Sequence, residues 1–307
     1  MEHDNMLKHF CAGIVLFNPD DETFIISIQE LIGLGIGVYV FDNSTDEQLI
    51  QKNKRKIELK FGNNVVFFSK QAGNVGLSLA FNLIVKAVLK EDIYKGIFLF
   101  DQDTFINKDA LVYLMNSFNN LQKENVNFGI LAGYPIRKDG IPYRIKPVSK
   151  ANVLTPDLVA VSEASSSYSL FQLSTFEKIG FFDERFFIDH IDMDFSTRCL
   201  QNNLPIYINT KAKFTHNIGV GDVKLFGYHL FPFADDYRHY YQVRNMILSG
   251  KKNKISVINI SLSITIRVLV VTVIALTKGK AISRFRYLYH GIIDGFKNIG
   301  GICKYKF

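Results

Sequence analysis

Apolar residues over the first two hundred positions come in short runs that stop at polar turn-formers. HFCAGIVLF (9–17) ends at Asn18-Pro19, GIGVYVFDNS (35–44) at Asp42-Asn43, and GIFLFDQD (96–103) at Asp101-Gln102-Asp103. Runs of this length, bounded by such residues, predict buried strands. Between them the pattern predicts a helix around 22–34, a charged helix, the strand NVVFFSK (64–70), and a helix from about 77 to 90. Strands alternating with helices predict an α/β fold with a mostly parallel central sheet covered by helices on both faces. Ligands in such sheets bind beyond the carboxyl ends of the strands, and three polar strand ends share that edge.

After residue 150 the pattern loosens. SEASSSYSLFQLSTFEKIG (162–180) predicts a strand leading into a short helix, and FFDERFFIDHIDMDFSTRCLQNN (181–203) a loop that becomes a helix. LPIYIN (204–209) predicts a strand, KFTHNIG (213–219) a run into a glycine turn, and ADDYRHYYQVRNMILSG (234–250) a helix. The stretch 255–276 fits two templates: alternating apolar positions suit a strand, while Ser256, Asn259, Ser263 and Arg267 form one polar stripe at helical spacing. Helix is favoured, lying in or near a membrane surface. Arg267 and the many hydroxyls count against a span.

Composition narrows the class. With 307 residues, 48% hydrophobic and 13% aromatic, the chain can bury a large core and is not disordered. Cys11, Cys199 and Cys303 have no paired spacing, so neither a disulfide framework nor a zinc pattern is expected. MEHDNMLKHF lacks the apolar core of a secretory signal, and a cytoplasmic location is expected. The net charge of +7 invites an anionic partner. KNKRKIELK (52–60) reads as a solvated helix face. A second set, Lys251, Lys252 and Lys254, then Lys278, Lys280, Arg284 and Arg286, brackets the apolar stretch near the carboxyl end. Aromatics do not interleave with these clusters as base-stacking platforms do, so nucleic acid is not expected as a partner.

Several residues could carry chemistry. Asp101 and Asp103 end a strand two positions apart: either a turn, or hard oxygen ligands for Mg²⁺ or Mn²⁺. Asp189, Asp192 and Asp194 lie among aromatics, where a half-buried carboxylate suits a general base and a helix amino terminus offers the plainer explanation. His216 could be a ligand, a base or a core histidine. Arg244-Asn245 could grip a phosphate or form a surface ion pair. QAGNVGLSLAFN (71–82) brings small residues to a helix start, yet has neither the P-loop Lys-Ser/Thr nor G-x-G-x-x-G.

In order, VLFNPD, VFDNS, NVGLSLAFN, FDQDT, GFFDERFFIDHIDMDFSTR, HNIG and YYQVRN resemble the family 2 inverting glycosyltransferases of GT-A fold, in particular the bacterial rhamnosyltransferase-like branch. The resemblance covers about residues 10 to 247, and RYLYHGIIDGFKNIGG resembles that branch's carboxyl-terminal tail. It implies a catalytic domain over 1–250, with a nucleotide-sugar half to about 105 and an acceptor half beyond it. A basic, apolar helical extension then occupies 251–307.

The same resemblance implies residue roles. Asp42 would accept from the imide N–H of a uracil or thymine base, with Asn18, Asn74, Gly76 and Asn82 shaping the nucleotide pocket. Asp101, Gln102 and Asp103 would be the DxD motif, with Asp101 and Asp103 holding Mg²⁺ or Mn²⁺ and His216 completing the site. Arg244 would steady the diphosphate, and Asp192 would be the general base. Ile191 stands where the family often has Glu. Ser167-Tyr168 stands where many relatives have Ser-Gly, and its large side chain predicts a reshaped sugar pocket. The implied donor is dTDP-L-rhamnose, with a UDP-hexose or another deoxysugar as alternative. The implied acceptor is a saccharide on polyprenyl diphosphate, in surface-polysaccharide synthesis at the inner face of the cytoplasmic membrane. The basic, apolar tail suits anionic lipid; packing on the catalytic domain or a homodimer is its alternative use. A nucleotide-sugar binder without catalysis is the rival class.

Overall fold

The structure is a computed structural model that describes residues 9–19, 22–70, 73–137, 139–143, 145, 147–148, 156–215, 221–225 and 228–307. Eight strands form one sheet: β1 (Phe10–Leu16), β2 (Gly37–Asp42), β3 (Val65–Ser69), β4 (Gly96–Asp101), β5 (Ile130–Ile136), β6 (Leu158–Val161), β7 (Ser169–Gln172) and β8 (Ile206–Thr215). Their order is β3-β2-β1-β4-β7-β5-β8-β6. β1, β2, β3 and β4 pair in parallel, as do β5 and β8, while β7 and β6 run antiparallel to their neighbours. Every residue of β1 is buried, as expected of a strand covered on both faces.

The helices between these strands follow local chemistry. α1 (Thr23–Gly33) and α3 (Leu77–Leu89) are apolar, and α3 begins after Gly76, whose φ of 86° lies where only glycine sits without strain. α2 (Glu47–Phe61) is capped by Asp46, which accepts from the Gln48 N–H, and buries only Ile50, Asn53 and Ile57. Its lysines therefore form the solvated face that the sequence suggests. α4 (Lys108–Lys123) is capped by Asn107, and α5 (Leu173–Ile179) follows β7 directly.

LPIYIN from Ile206 and the described part of KFTHNIG, Lys213 to Thr215, lie in one strand. β8 runs unbroken to Thr215, and the extra residues are absorbed where its register against β5 shifts after Gly133. Asn209 stabilises that irregularity, its Oδ1 accepting from Lys211 N at 2.8 Å and Ala212 N at 3.3 Å.

The chain divides into two compact units, Met1–Phe182 with Phe195–His216, and Asp183–Asp194 with Asn217–Phe307. The first holds the sheet. The second comprises a loop from Asp183, the hairpin β9 (Gly221–Leu225) and β10 (Tyr228–Phe233), and the helices α7 (Arg238–Lys252), α8 (Val257–Lys278) and α9 (Ala281–Phe296). α6 (Ile191–Gln201) gives its first turn to the second unit and its remainder to the first. The helical expectation for 255–276 holds. Val243, Ile247, Ile260, Val271 and Leu288 make one core of the three helices. α9 crosses α7 closely at two glycines: a Cβ on Gly291 would lie 2.5 Å from Tyr240 O, and one on Gly295 2.9 Å from Ile247.

Candidate active site

Parallel register aligns the strand ends of the first unit. Leu16 of β1 stands opposite Asp42 of β2, and Val15 opposite Asp101 of β4. Gln102 extends the β1–β4 pairing with its side chain, accepting from Phe17 N at 2.7 Å and donating to Phe17 O at 3.2 Å. Its amide thus ties the DQD turn to the segment of Asn18. Asn18, in a left-handed conformation (φ 43°), donates its N–H to Ser44 Oγ at 2.8 Å. Asp42 is buried, and its two oxygens accept from Ser44 N at 3.0 Å and Asn53 Nδ2 at 2.9 Å.

The turn after β3 joins the same edge. Asn43 donates to Asn74 Oδ1 at 2.9 Å and accepts from Val75 N at 2.7 Å, and Asn74 Oδ1 also accepts from Gly76 N at 2.9 Å. Asn18, Asp42, Asn74 and Gly76 therefore belong to one bonded network beyond the strand ends. Asn82 sits differently. It is fully buried, and its amide exchanges hydrogen bonds of 2.9 and 3.0 Å with the backbone of Phe182. That corrects its expected place at the pocket wall, because a side chain closed on the backbone inside the core offers a ligand no surface.

Asp101 is half-buried at the end of β4, and Asp103 is exposed in the turn that follows. Among the described residues no three His, Cys, Asp or Glu side chains gather as a metal cage. Two carboxylates at a strand end fit the other mode, in which Mg²⁺ or Mn²⁺ takes one or two protein oxygens and completes its shell with substrate phosphates and water. His216 lies outside the described residues.

Ser167-Tyr168 borders β4. The Tyr168 N–H donates to Leu99 O at 3.0 Å, and Thr104 Oγ1 lies 3.3 Å from Ser167 Oγ. Tyr168 holds φ at 61°, a region favouring glycine. Its ring does not reshape a sugar pocket as expected. It is buried, stacked on Phe214 with centroids 4.3 Å apart, and its hydroxyl donates to Asn107 O at 2.7 Å and accepts from Asn107 N at 2.8 Å. Burial pushes that hydroxyl's pKa well above the usual tyrosine range.

The second unit carries the acidic motif. Asp189 and His190 adopt consecutive left-handed conformations (φ 65° and 62°) immediately before α6, a strained pair for residues with side chains. Neighbours hold it: Asn245 Nδ2 donates to Ile188 O at 2.8 Å and Asp189 O at 2.9 Å, and Arg238 grips the Asp189 carboxylate with two donors. Asp194 is fully buried and accepts from Ser249 Oγ and Asn253 Nδ2, both at 2.8 Å. Asp192, between them in the first turn of α6, is half-buried. Burial works against the nearby Asp183 carboxylate, yet hydrogen bonds from Arg185 and Lys252 outweigh it and hold its pKa well below the usual range.

Arg244 is fully buried. It donates to Gly301 O at 2.6 Å, Asn245 Oδ1 at 2.9 Å and Arg185 O at 3.1 Å, and it stacks over the rings of Tyr240 and Tyr241. This corrects its expected role at a diphosphate, since the guanidinium is buried and its donors tie together Gly301, Arg185 and Asn245.

No protein-family model matches the chain. It is 27% identical over 316 residues to the dTDP-rhamnosyl transferase RfbF of Shigella flexneri, covering 98% of this chain and 99% of that protein. It is 22% identical over 250 residues to the low-salt glycan biosynthesis hexosyltransferase Agl10 of Haloferax volcanii, covering 78% and 75%. Among solved structures, GalNAc-T7 with UDP, GalNAc and Mn²⁺ matches at TM-score 0.56 and 12% identity, and S. aureus TarS at 0.50 and 15%. These cover 79% and 68% of this chain but only 47% and 37% of theirs, so they bear on the fold alone. The chain is a GT-A glycosyltransferase. The resemblance of the motifs to the family 2 branch agrees with the two relatives RfbF and Agl10.

Three residues that sequence reasoning did not single out hold candidate residues in place, two in the first unit and one in the second. Asn43 bridges two turns, and its place in Asp-Asn-Ser after a strand was a readable sign of a side-chain-to-backbone turn. Arg238 and Asn53 gave no such sign, because their partners, Asp189 and Asp42, lie 49 and 11 residues away.

Proposed function

We propose that this glycosyltransferase transfers L-rhamnose from dTDP-L-rhamnose, with inversion, to a saccharide acceptor carried on polyprenyl diphosphate in bacterial surface-polysaccharide synthesis. The observation that carries the donor is the similarity to a dTDP-rhamnosyl transferase over nearly the whole of both chains. The network of Asn18, Asp42, Asn74 and Gly76 receives the nucleoside, the buried Asp42 exchanging one of its partners, Ser44 N or Asn53 Nδ2, for the imide N–H of the base. Asp101 and Asp103 hold Mg²⁺ or Mn²⁺, which when bound offsets the negative charge of the departing diphosphate.

Asp192 takes the proton of the acceptor hydroxyl, and the oxygen attacks the anomeric carbon. The bond from that carbon to the diphosphate oxygen breaks with both electrons leaving on the nucleoside diphosphate, and a single displacement inverts the centre. Residues 1–250 form the catalytic part in this reading and 251–307 an extension that keeps the enzyme peripheral on the cytoplasmic face of the membrane. A UDP-hexose donor is the second reading, favoured by the similarity to a hexosyltransferase.

Binding of dTDP-L-rhamnose and a panel of UDP-sugars, with and without Mg²⁺ or Mn²⁺, tests this on wild type and Asp103→Ala. Metal-dependent binding of dTDP-L-rhamnose alone, lost in the variant, is expected. Preference for a UDP-hexose replaces the donor. Metal-independent binding unchanged in Asp103→Ala removes the DQD assignment.

A further inference from the structure

The outer face of α8 is the largest feature of the second unit that the chemistry above leaves unused. Ile258, Leu262, Ile266, Leu269 and Leu276 recur on one side of the helix and are 53% to 82% exposed. From Ile258 to Leu276, about 27 Å of helix, they form an aliphatic stripe. An exposed apolar surface of this kind marks a docking site. The charge around it says for what. α8 contains no acidic residue, and α9 has one, Asp294, which is buried and accepts from Tyr240. Lys251 and Lys254 precede the stripe and Lys278 and Arg286 follow it, all exposed, whereas Lys252 is paired with Asp183 and Asp194 and Lys280 with Asp236. At the start of α9, Ile282, Phe285, Tyr289 and Arg286 line a shallow groove, where a cationic head can reach past an apolar floor. An aliphatic stripe with cations at both ends complements an anionic lipid bilayer.

By length and composition α8 could also cross a membrane. Its inner face argues otherwise. Ile260, Val271 and Ile274 are buried, the first two in one core with Val243, Ile247 and Leu288. Arg267, at the midpoint of the helix, donates to Gln242 of α7 at 3.0 Å. A span would strip that face from α7 and carry the Arg267 charge to the bilayer centre, where it is strongly disfavoured.

We propose that the second unit docks on an anionic bilayer through the outer face of α8 and the first turns of α9, with α8 lying parallel to the surface. The proposal rests on the peripheral-membrane part of the proposed function and adds the face, the residues and the orientation. It is independent of donor and metal, so its failure leaves the transferase reading standing.

The chain contains no tryptophan, so single replacements Leu262→Trp, Leu269→Trp and Leu276→Trp in the full-length protein each supply one emitter. Vesicles of phosphatidylcholine with and without phosphatidylglycerol, carrying brominated acyl chains at several depths, are the probe. Expected are a blue shift only with phosphatidylglycerol, and one shared shallow quenching depth for all three positions. Depths graded through the bilayer centre would overturn the in-plane orientation. Absence of a shift with either vesicle would overturn the docking surface. Co-sedimentation of wild type with the anionic vesicles should disappear in Leu262→Glu/Leu269→Glu, while that variant keeps the wild-type melting profile and solution mass. A wild-type dimer that the same double variant converts to monomer, without vesicle binding by either, would assign the face to a second copy instead.

Discussion

Asp192 and Asp194 stand two residues apart, and the structure gives them different surroundings. Asp194 is sealed in with Ser249 and Asn253, whereas Asp192 is half-buried in the first turn of α6. Removing the proton acceptor of a displacement costs about 10²- to 10⁴-fold in rate. Asp192→Asn should therefore lose turnover on that scale while its donor titration matches wild type; retained turnover would take the base assignment away. Asp194→Ala should instead lower the unfolding free energy by about 3 to 5 kcal/mol, because Lys252 and two polar partners lose their acceptor. Thermal or urea unfolding reads that difference. Tyr168 follows a third logic. Its left-handed backbone costs roughly 1 kcal/mol, which burial of the ring against Phe214 and Phe100 offsets. Tyr168→Phe should lower stability by about 1 to 2 kcal/mol through the bonds lost to Asn107 and leave donor preference untouched. A change of donor would mean the ring does face the sugar.

The turn Ile188–His190 shows what an element contributes that its residues do not. Two left-handed residues with side chains persist there because α7 supplies Asn245 and Arg238 to hold them. The helix start that carries Asp192 is thus set from α7. Asn245→Ala leaves two carbonyls without their donor, a loss of about 1 to 3 kcal/mol. It should also lower turnover with donor affinity unchanged, since the displaced group is the proposed base rather than the proposed nucleotide site. Unfolding curves alongside separate turnover and binding assays check both halves. Equal loss of donor affinity would mean that the turn supports the nucleotide site as well.

At the scale of the whole chain, protons and length matter. His239 is buried beside Arg284, whose guanidinium lies 3.0 Å from Nε2. Burial first, then Arg284 and more weakly Arg267, push its pKa down from 6.5 to about 4, against the Gln242 hydrogen bond and a weaker pull from Asp236. The unfolded chain therefore binds this proton more readily than the folded one. The stability linked to His239 is complete above about pH 6.5 and is lost as pH falls toward 4. Unfolding followed between those values should show it, and His239→Gln should flatten that part of the profile. Truncation after Gly250 is a second test at this scale. It would uncover Val243, Ile247 and the Arg244 anchor at Gly301, so the shortened chain should fail to give a soluble, cooperatively melting protein. If it folds, the extension is the separable piece that its sequence suggests.

The sequence by itself determined the sheet and its working edge. Strands that end at Asn18, Asp42 and Asp101 are written in local apolar runs and turn residues, and parallel pairing then has one way to align their ends. It also carried the resemblance to glycosyltransferases, because the motifs keep their order. The tertiary structure decided which polar residues face outward. Asn82 and Arg244 resemble ligand-binding residues in a one-dimensional reading, yet each is spent on a backbone 57 to 100 residues away. Tyr168 looks like an obstruction and is a core ring. Local pattern reports that a polar side chain needs partners; only folding shows whether those partners belong to the chain or to a ligand.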